Sequence, residues 1–138
     1  MGAQTDSLSR NVFEVIADHL KSEAPNISRF VHTGYSFEEW LNWEAFAACS
    51  QVKGWKVDPK PAYCSFGVEG CKDIADLLIT AGDSKLVFEI GLAHDHTQNK
   101  WLLKLDRDAE KLRRELGGVQ TLHLIILTSK DDIEGNKV

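Results

Sequence analysis

Two short apolar runs joined by a tight turn constrain this chain more than any other feature. Ile74–Thr80 and Leu86–Leu92 are both rich in β-formers, and Gly82-Asp83 between them is a turn signal, so the pair reads as a hairpin. Each run carries a carboxylate. Side chains alternate between faces along a strand, so Asp76 shares its face with Ile74 and Leu78. Glu89 repeats the situation inside LVFEIGL, between Phe88 and Ile90. A strand carboxylate among apolar neighbours is either a paired or edge-exposed structural group or one that looks into a cleft. Two of them on adjacent strands can reach one divalent cation, and hard cations favour such oxygen ligands.

Helical signals flank the hairpin. Leu8, Val12, Val15, Ile16 and Leu20 recur at helical spacing and predict a helix from Ser7 to about Glu23, ended by Pro25. Ser36 as N-cap, with Glu39 three residues on, forms a capping box for a second helix that runs to about Lys53 and stops at Gly54. Pro59 and Pro61 exclude a helix after it, so Trp55–Val57 and Ala62–Phe66 read as short strands, the latter at an edge. Residues 97–116 form a long amphipathic helix closed by Gly117-Gly118, and Thr121–Leu127 reads as a continuous buried strand. This order predicts an α/β fold, a mixed sheet with helices packed against it and a right-handed parallel crossover near the end.

The 138 residues, 43% of them apolar, suffice for one core, so a single domain is expected over 1–138. Within it, 1–35 reads as an N-terminal helical extension and 36–128 as the core. No apolar run approaches the roughly 18–20 residues of a membrane span. MGAQTDSLSR has no apolar signal core, and a soluble, cytoplasmic protein with no membrane partner is expected. The net charge of −5 repels phosphate, so contact with DNA requires a local basic patch or bridging metal ions. A protein partner is equally compatible with that charge. Cys49, Cys64 and Cys71 are odd in number and read as reduced thiols, and no second Cys or His pair stands at zinc-finger spacing.

A third carboxylate lies on the second helix. Phe37, Trp40, Leu41, Glu44 and Ala48 fall within about 100° of arc, which puts Glu44 in the stripe that should face the sheet. There it is either a ligand or a buried acid satisfied by a backbone donor. A helix Glu, a strand Asp and a Glu on the next strand, in that order, resemble the PD-(D/E)XK superfamily of metal-dependent nucleases. The matching stretch runs from about Phe37 to Leu127. NWEAFAA looks like the family's first core helix, with Glu44 as its acid. DIADLLITAGDSKLVFEIG looks like the active-site strands, with Asp76 and Glu89 at the family's positions, and QNKWLLKLDRDAEKL is similar to the following helix.

The resemblance implies a restriction-endonuclease-like mixed central sheet flanked by helices. It also implies that Glu44, Asp76 and Glu89 converge in one cleft to hold Mg2+ or Mn2+, and that water attacks a DNA phosphodiester there. One position departs from the family. The Lys expected two residues after the Glu is Gly91, and that Lys orients the water and stabilises charge in the transition state. Lys72, four residues before Asp76, and Lys104, on the following helix, are the candidate replacements. Strand alternation favours Lys72, because wheel angles put Lys104 on the helix flank away from the sheet.

Lys100, Lys104, Arg107, Lys111 and Arg114 fall within about 80° of arc on that helix. They are either a rail for a nucleic-acid backbone or a solvated face paired with Asp108, Glu110 and Glu115. His94-Asp95-His96 reads as a polar loop in which Asp95 or Thr97 caps the helix, with His96 as a base or ligand the alternative. Two functions follow. One is a metal-dependent nuclease cleaving DNA. The other is a catalytically inactive member of the same fold that binds protein or nucleic acid, in the manner of an inhibitor or immunity protein. An interaction module that reached this strand pattern independently is a third.

Overall fold

The hairpin forms where its sequence places it. Strand β2 (Leu77–Ala81) pairs antiparallel with β3 (Ser84–Ala93) across a two-residue loop whose Gly82 has φ 60°. Glycine reaches that left-handed conformation without the steric cost of a Cβ. The structure, a computed structural model, describes residues 2–66, 73–93, 98–113 and 119–128. Before the hairpin come α1 (Gly2–Ser22), α2 (Ala24–Thr33), α3 (Glu38–Ser50) and β1 (Trp55–Pro59), then a 3-10 turn at Tyr63–Phe66. After it come α4 (Gln98–Arg113) and β4 (Gln120–Leu127). The sheet has the order β1-β2-β3-β4, antiparallel in its first two pairings and parallel between β3 and β4. A mixed α/β architecture is therefore observed.

The two faces of the sheet have different tasks. Leu86, Phe88, Ile90 and Leu92 point from β3 into the main core, with Leu77 and Ile79 of β2, Leu41, Ala45 and Cys49 of α3, and Leu8, Val12 and Ile16 of α1. Val87, on the alternate face, packs with Tyr63 and Ala75 in a smaller cluster. The α1 and α2 region is thus no appended extension. Val12 and Ile16 are as completely buried as Leu41, and Phe30 of α2 packs edge-on against Trp40 of α3 at 4.9 Å between ring centroids.

Several local expectations change. Pro25 interrupts the N-terminal helix and then sits in the first turn of α2, where a missing N–H costs nothing. The capping box does not form: α3 starts one residue later than a Ser36 cap requires, and Glu39 pairs instead with Lys60 at 3.0 Å. Pro59 lies within β1, at an edge of the sheet, where a lost donor is tolerated. Ala62–Phe66 is not a strand: Ala62 makes a single bridge to Ile74 and the chain then turns, burying Tyr63. Nor is β4 buried throughout. It is the other edge strand, and its exposure alternates, with Leu122, Leu124 and Ile126 packed on the core and Thr121, Ile125 and Leu127 exposed. No helix among the described residues is long and apolar enough to cross a membrane.

Leu41 is fully buried where α3 meets the sheet. Leu41→Ala is expected to destabilise the fold by about 2–5 kcal/mol in urea unfolding. A loss below about 1 kcal/mol would show that α3 is not seated on this core.

Candidate active site

The site begins as a hydrogen-bonding problem. Pairing between β2 and β3 ends at Leu77 opposite Phe88, yet β3 continues to Ala93. Past that point no strand among the described residues pairs with the β2-side edge of β3, and buried backbone groups need partners. Side chains supply them. The Ile90 N–H donates to Asp76 Oδ2 at 2.7 Å, and the Leu92 N–H donates to Glu38 Oε1 at 3.0 Å. The Ile90 carbonyl accepts from Lys104 Nζ at 3.4 Å.

The same residues hold one another. The Asp76 N–H donates to the Phe88 carbonyl at 3.2 Å and to Glu89 Oε1 at 3.1 Å. The other oxygen of Glu89 accepts from the Tyr63 hydroxyl at 3.3 Å. Glu89 is 1% exposed and Tyr63 is fully buried. Lys104 Nζ lies 3.0 Å from Glu38 Oε2 and 2.6 Å from Asp108 Oδ2, so one ammonium bridges the start of α3, the β3 edge and the next turn of α4. Asp108 is 3% exposed, and the pairing gives that buried charge its counter-ion.

Charge in this pocket follows burial. Desolvation raises the Asp76 carboxyl above its ordinary range, and Asp108 adds to the effect, while the Ile90 N–H, Lys104 and Lys60 oppose it. Burial also drives the Tyr63 hydroxyl up, with the Glu89 charge reinforcing it, so Tyr63 stays a neutral donor. For Lys104 desolvation works against the charge, but the hydrogen bond to Asp108 and the Glu38 carboxylate outweigh it and hold the ammonium above its usual value.

The expected residues are placed as follows. Asp76 and Glu89 meet through the Asp76 N–H, although Asp76 precedes β2 and does not lie within it. Glu44 does not join them. It stays in the helical layer and pairs with His19 of α1 at 2.8 Å, whereas Glu89 projects from the opposite face of the sheet toward Tyr63. The acid that α3 delivers is Glu38, at its first turn. Lys104 faces inward rather than outward, because the sheet-facing side of α4 is centred on Lys104, Leu105 and Asp108, with Leu102 and Leu103 exposed.

That inward turn takes Lys104 out of the expected basic rail. Arg107 is exposed, the side chains of Lys100 and Lys111 lie outside the described residues, and so do Arg114, Lys72 and His94–His96. Gly91 lies directly against α4. A Cβ built there would collide with Leu105 Cδ2 of α4. The sequence reading missed Glu38, Tyr63 and Asp108. The available signals were the acid at the start of α3, and an Asp four residues after Lys104 on one helical face.

Oxygen donors of this kind suit a hard divalent cation, and two protein carboxylates suffice for magnesium, which keeps waters and takes substrate phosphate. Among the described residues, a set of three metal-ligand side chains within 4.8 Å of one another occurs elsewhere, at His19, Glu23 and Glu44. Comparison of the sequence with protein-family models and with curated proteins finds no match.

Two outcomes test this geometry. Because the folded carboxyl of Asp76 is raised, the native state binds more protons than the unfolded chain between the ordinary and the raised pKa, and stability falls as pH rises through that window. Asp76→Asn can keep an oxygen acceptor for the Ile90 N–H. It is expected to raise Tm at pH 7, with the gain shrinking as the pH is lowered toward the ordinary carboxylate range. A Tm lowered equally at every pH would contradict the raised carboxyl. Gly91→Lys, which would put a lysine two residues after Glu89, is expected instead to cost about 1–3 kcal/mol by overpacking against Leu105. Unchanged urea unfolding would show that α4 leaves room there.

Proposed function

We propose that this chain is a metal-dependent nuclease of the PD-(D/E)XK type, cleaving DNA phosphodiesters, in which α4 supplies the lysine that the Glu89 strand lacks. The observation that carries the reading is Lys104: its ammonium lies on the β3 edge at the Ile90 carbonyl, one residue from Glu89, held between Glu38 and Asp108. Gly91 and Lys104 are then two halves of one exchange. The missing side chain on the strand makes room for the helix that brings the cation.

Asp76 and Glu89 would hold Mg2+ or Mn2+. The Asp76 carboxyl is raised chiefly by burial, against the pull of the Ile90 N–H, Lys104 and Lys60, and a bound cation would offset that desolvation. Such an ion supplies charge stabilisation to a phosphate and lowers the pKa of its water. The remaining tasks belong to the chain. Lys104 presents a fixed positive charge to the negative charge that develops on a phosphodiester under attack, and a charge already in place needs no reorganisation. Glu38 and Asp108 fix its position, and Tyr63 fixes the Glu89 carboxylate. The exposed Arg107 guanidinium, one turn further along α4, offers a contact to a flanking phosphate.

One observation favours a second reading, an inactive protein of the same fold that binds a protein or nucleic acid. Both oxygens of Glu89 accept hydrogen bonds inside the protein, so this carboxylate also serves as a structural closure of the strand edge. Incubation of the chain with plasmid and single-stranded DNA, with Mg2+ or Mn2+ and with EDTA, separates the two. The nuclease reading expects cleavage that EDTA stops and that Asp76→Ala or Lys104→Ala lowers by about 100-fold or more. Absence of metal-dependent cleavage, together with a manganese titration that Asp76→Ala leaves unchanged, would leave the inactive reading. Cleavage unaffected by Lys104→Ala would remove the lysine exchange.

A further inference from the structure

The acid that the helical wheel singled out, Glu44, is left without a role at the strand edge, and it is not solitary. Its Oε1 lies 2.8 Å from His19 Nε2 in the last turn of α1, and Glu23, four residues after His19, completes a group whose ligand atoms all lie within 4.8 Å of one another. We propose that His19, Glu23 and Glu44 form a binding site for a divalent first-row transition cation, zinc in particular, that ties the α1–α2 junction to the middle of α3. This inference does not depend on the nuclease reading.

The donor set decides the class of ion. An imidazole nitrogen with two carboxylates suits zinc and its first-row neighbours, whereas magnesium and calcium sites are built from oxygen alone. Three protein ligands leave a fourth position of a tetrahedral zinc for water. The three ligands come from separate elements: His19 from the last turn of α1, Glu23 from the junction before α2, and Glu44 from α3.

Partial burial adds to this, since the His19 and Glu44 side chains are 29% and 25% exposed, enclosed by the helices but open to an entering ion. Glu23 is also held from outside the group. Its Oε2 accepts from Asn26 Nδ2 at 2.8 Å, and Asn26 Oδ1 in turn accepts from Arg29 Nη1 at 3.1 Å. A carboxylate oriented by such outer partners is the arrangement that metal ligands require.

The test uses the full chain, stripped of metal with EDTA and dialysed. Calorimetric titration with zinc chloride is expected to give one equivalent per chain, and zinc is expected to raise Tm by several degrees. Cobalt(II) in place of zinc should give visible absorption bands from a low-symmetry nitrogen–oxygen site. His19→Gln and Glu44→Gln, which keep similar shape, are each expected to abolish the Tm response and weaken binding at least tenfold, and Glu23→Gln should weaken it too. Asp76→Asn should leave it intact. An unresponsive wild-type protein would overturn the proposal. So would zinc binding unchanged in Glu44→Gln, or binding lost in Asp76→Asn and kept in His19→Gln, which would put the ion at the strand edge. Cleavage abolished in Asp76→Ala with zinc binding retained would separate the two sites, so either can fail alone.

Discussion

The unequal lengths of β2 and β3 govern the rest of this structure. A strand that outruns its neighbour leaves N–H and C=O groups at its edge, and each one buried without a partner costs about 1–3 kcal/mol. Here Asp76, Glu38 and Lys104 complete the ladder that β2 abandons. Carboxylates are thereby drawn to one short stretch of backbone for reasons of sheet geometry alone. Once there they form an acidic edge that needs cations. Structural closure and chemical potential come from the same side chains, so the cluster cannot be dismantled for one purpose without loss of the other.

Steric and electrostatic features are linked in the same place. The absence of a side chain at Gly91 lets Leu105 of α4 approach the β3 backbone. Lys104, adjacent in sequence, is carried in with it, and its charge is then stabilised between Glu38 and Asp108 despite partial burial. The cation therefore depends on helix packing and not on the register of a strand. Asp108, buried on the same face, takes the ammonium as a counter-ion at 2.6 Å.

What was legible in the sequence was local. The hairpin could be read because alternation, turn chemistry and β-propensity all act within a few residues, and Asp76 and Glu89 came with it. Glu44 was expected in the stripe that faces the sheet, but it lies half-buried beside His19 of α1, because a wheel gives direction without naming the neighbour. Glu38 escaped because stripe analysis ranks residues around an axis, whereas Glu38 acts from the end of α3. Lys104 was misplaced for a related reason: α4 turns a lysine and an aspartate toward the sheet, and apolar periodicity is blind to a mutually neutralised pair. Tyr63 was hidden in a segment whose prolines excluded a helix but did not distinguish a strand from a single turn. The alternating exposure of β4 depends on which strand lies at the edge, and that is decided by the whole sheet.

Helix α3 has a mechanical consequence. Glu38 and Glu44 are six residues apart, about 9 Å along the axis at the rise of an α-helix. Glu38 grips the far end of β3 and Lys104, while Glu44 grips α1. The helix is thus a rigid rod clamped at two points to different parts of the molecule. A slide or roll of that rod cannot be confined to one clamp: displacing Glu44 from α1 along the axis also displaces Glu38 from the β3 edge.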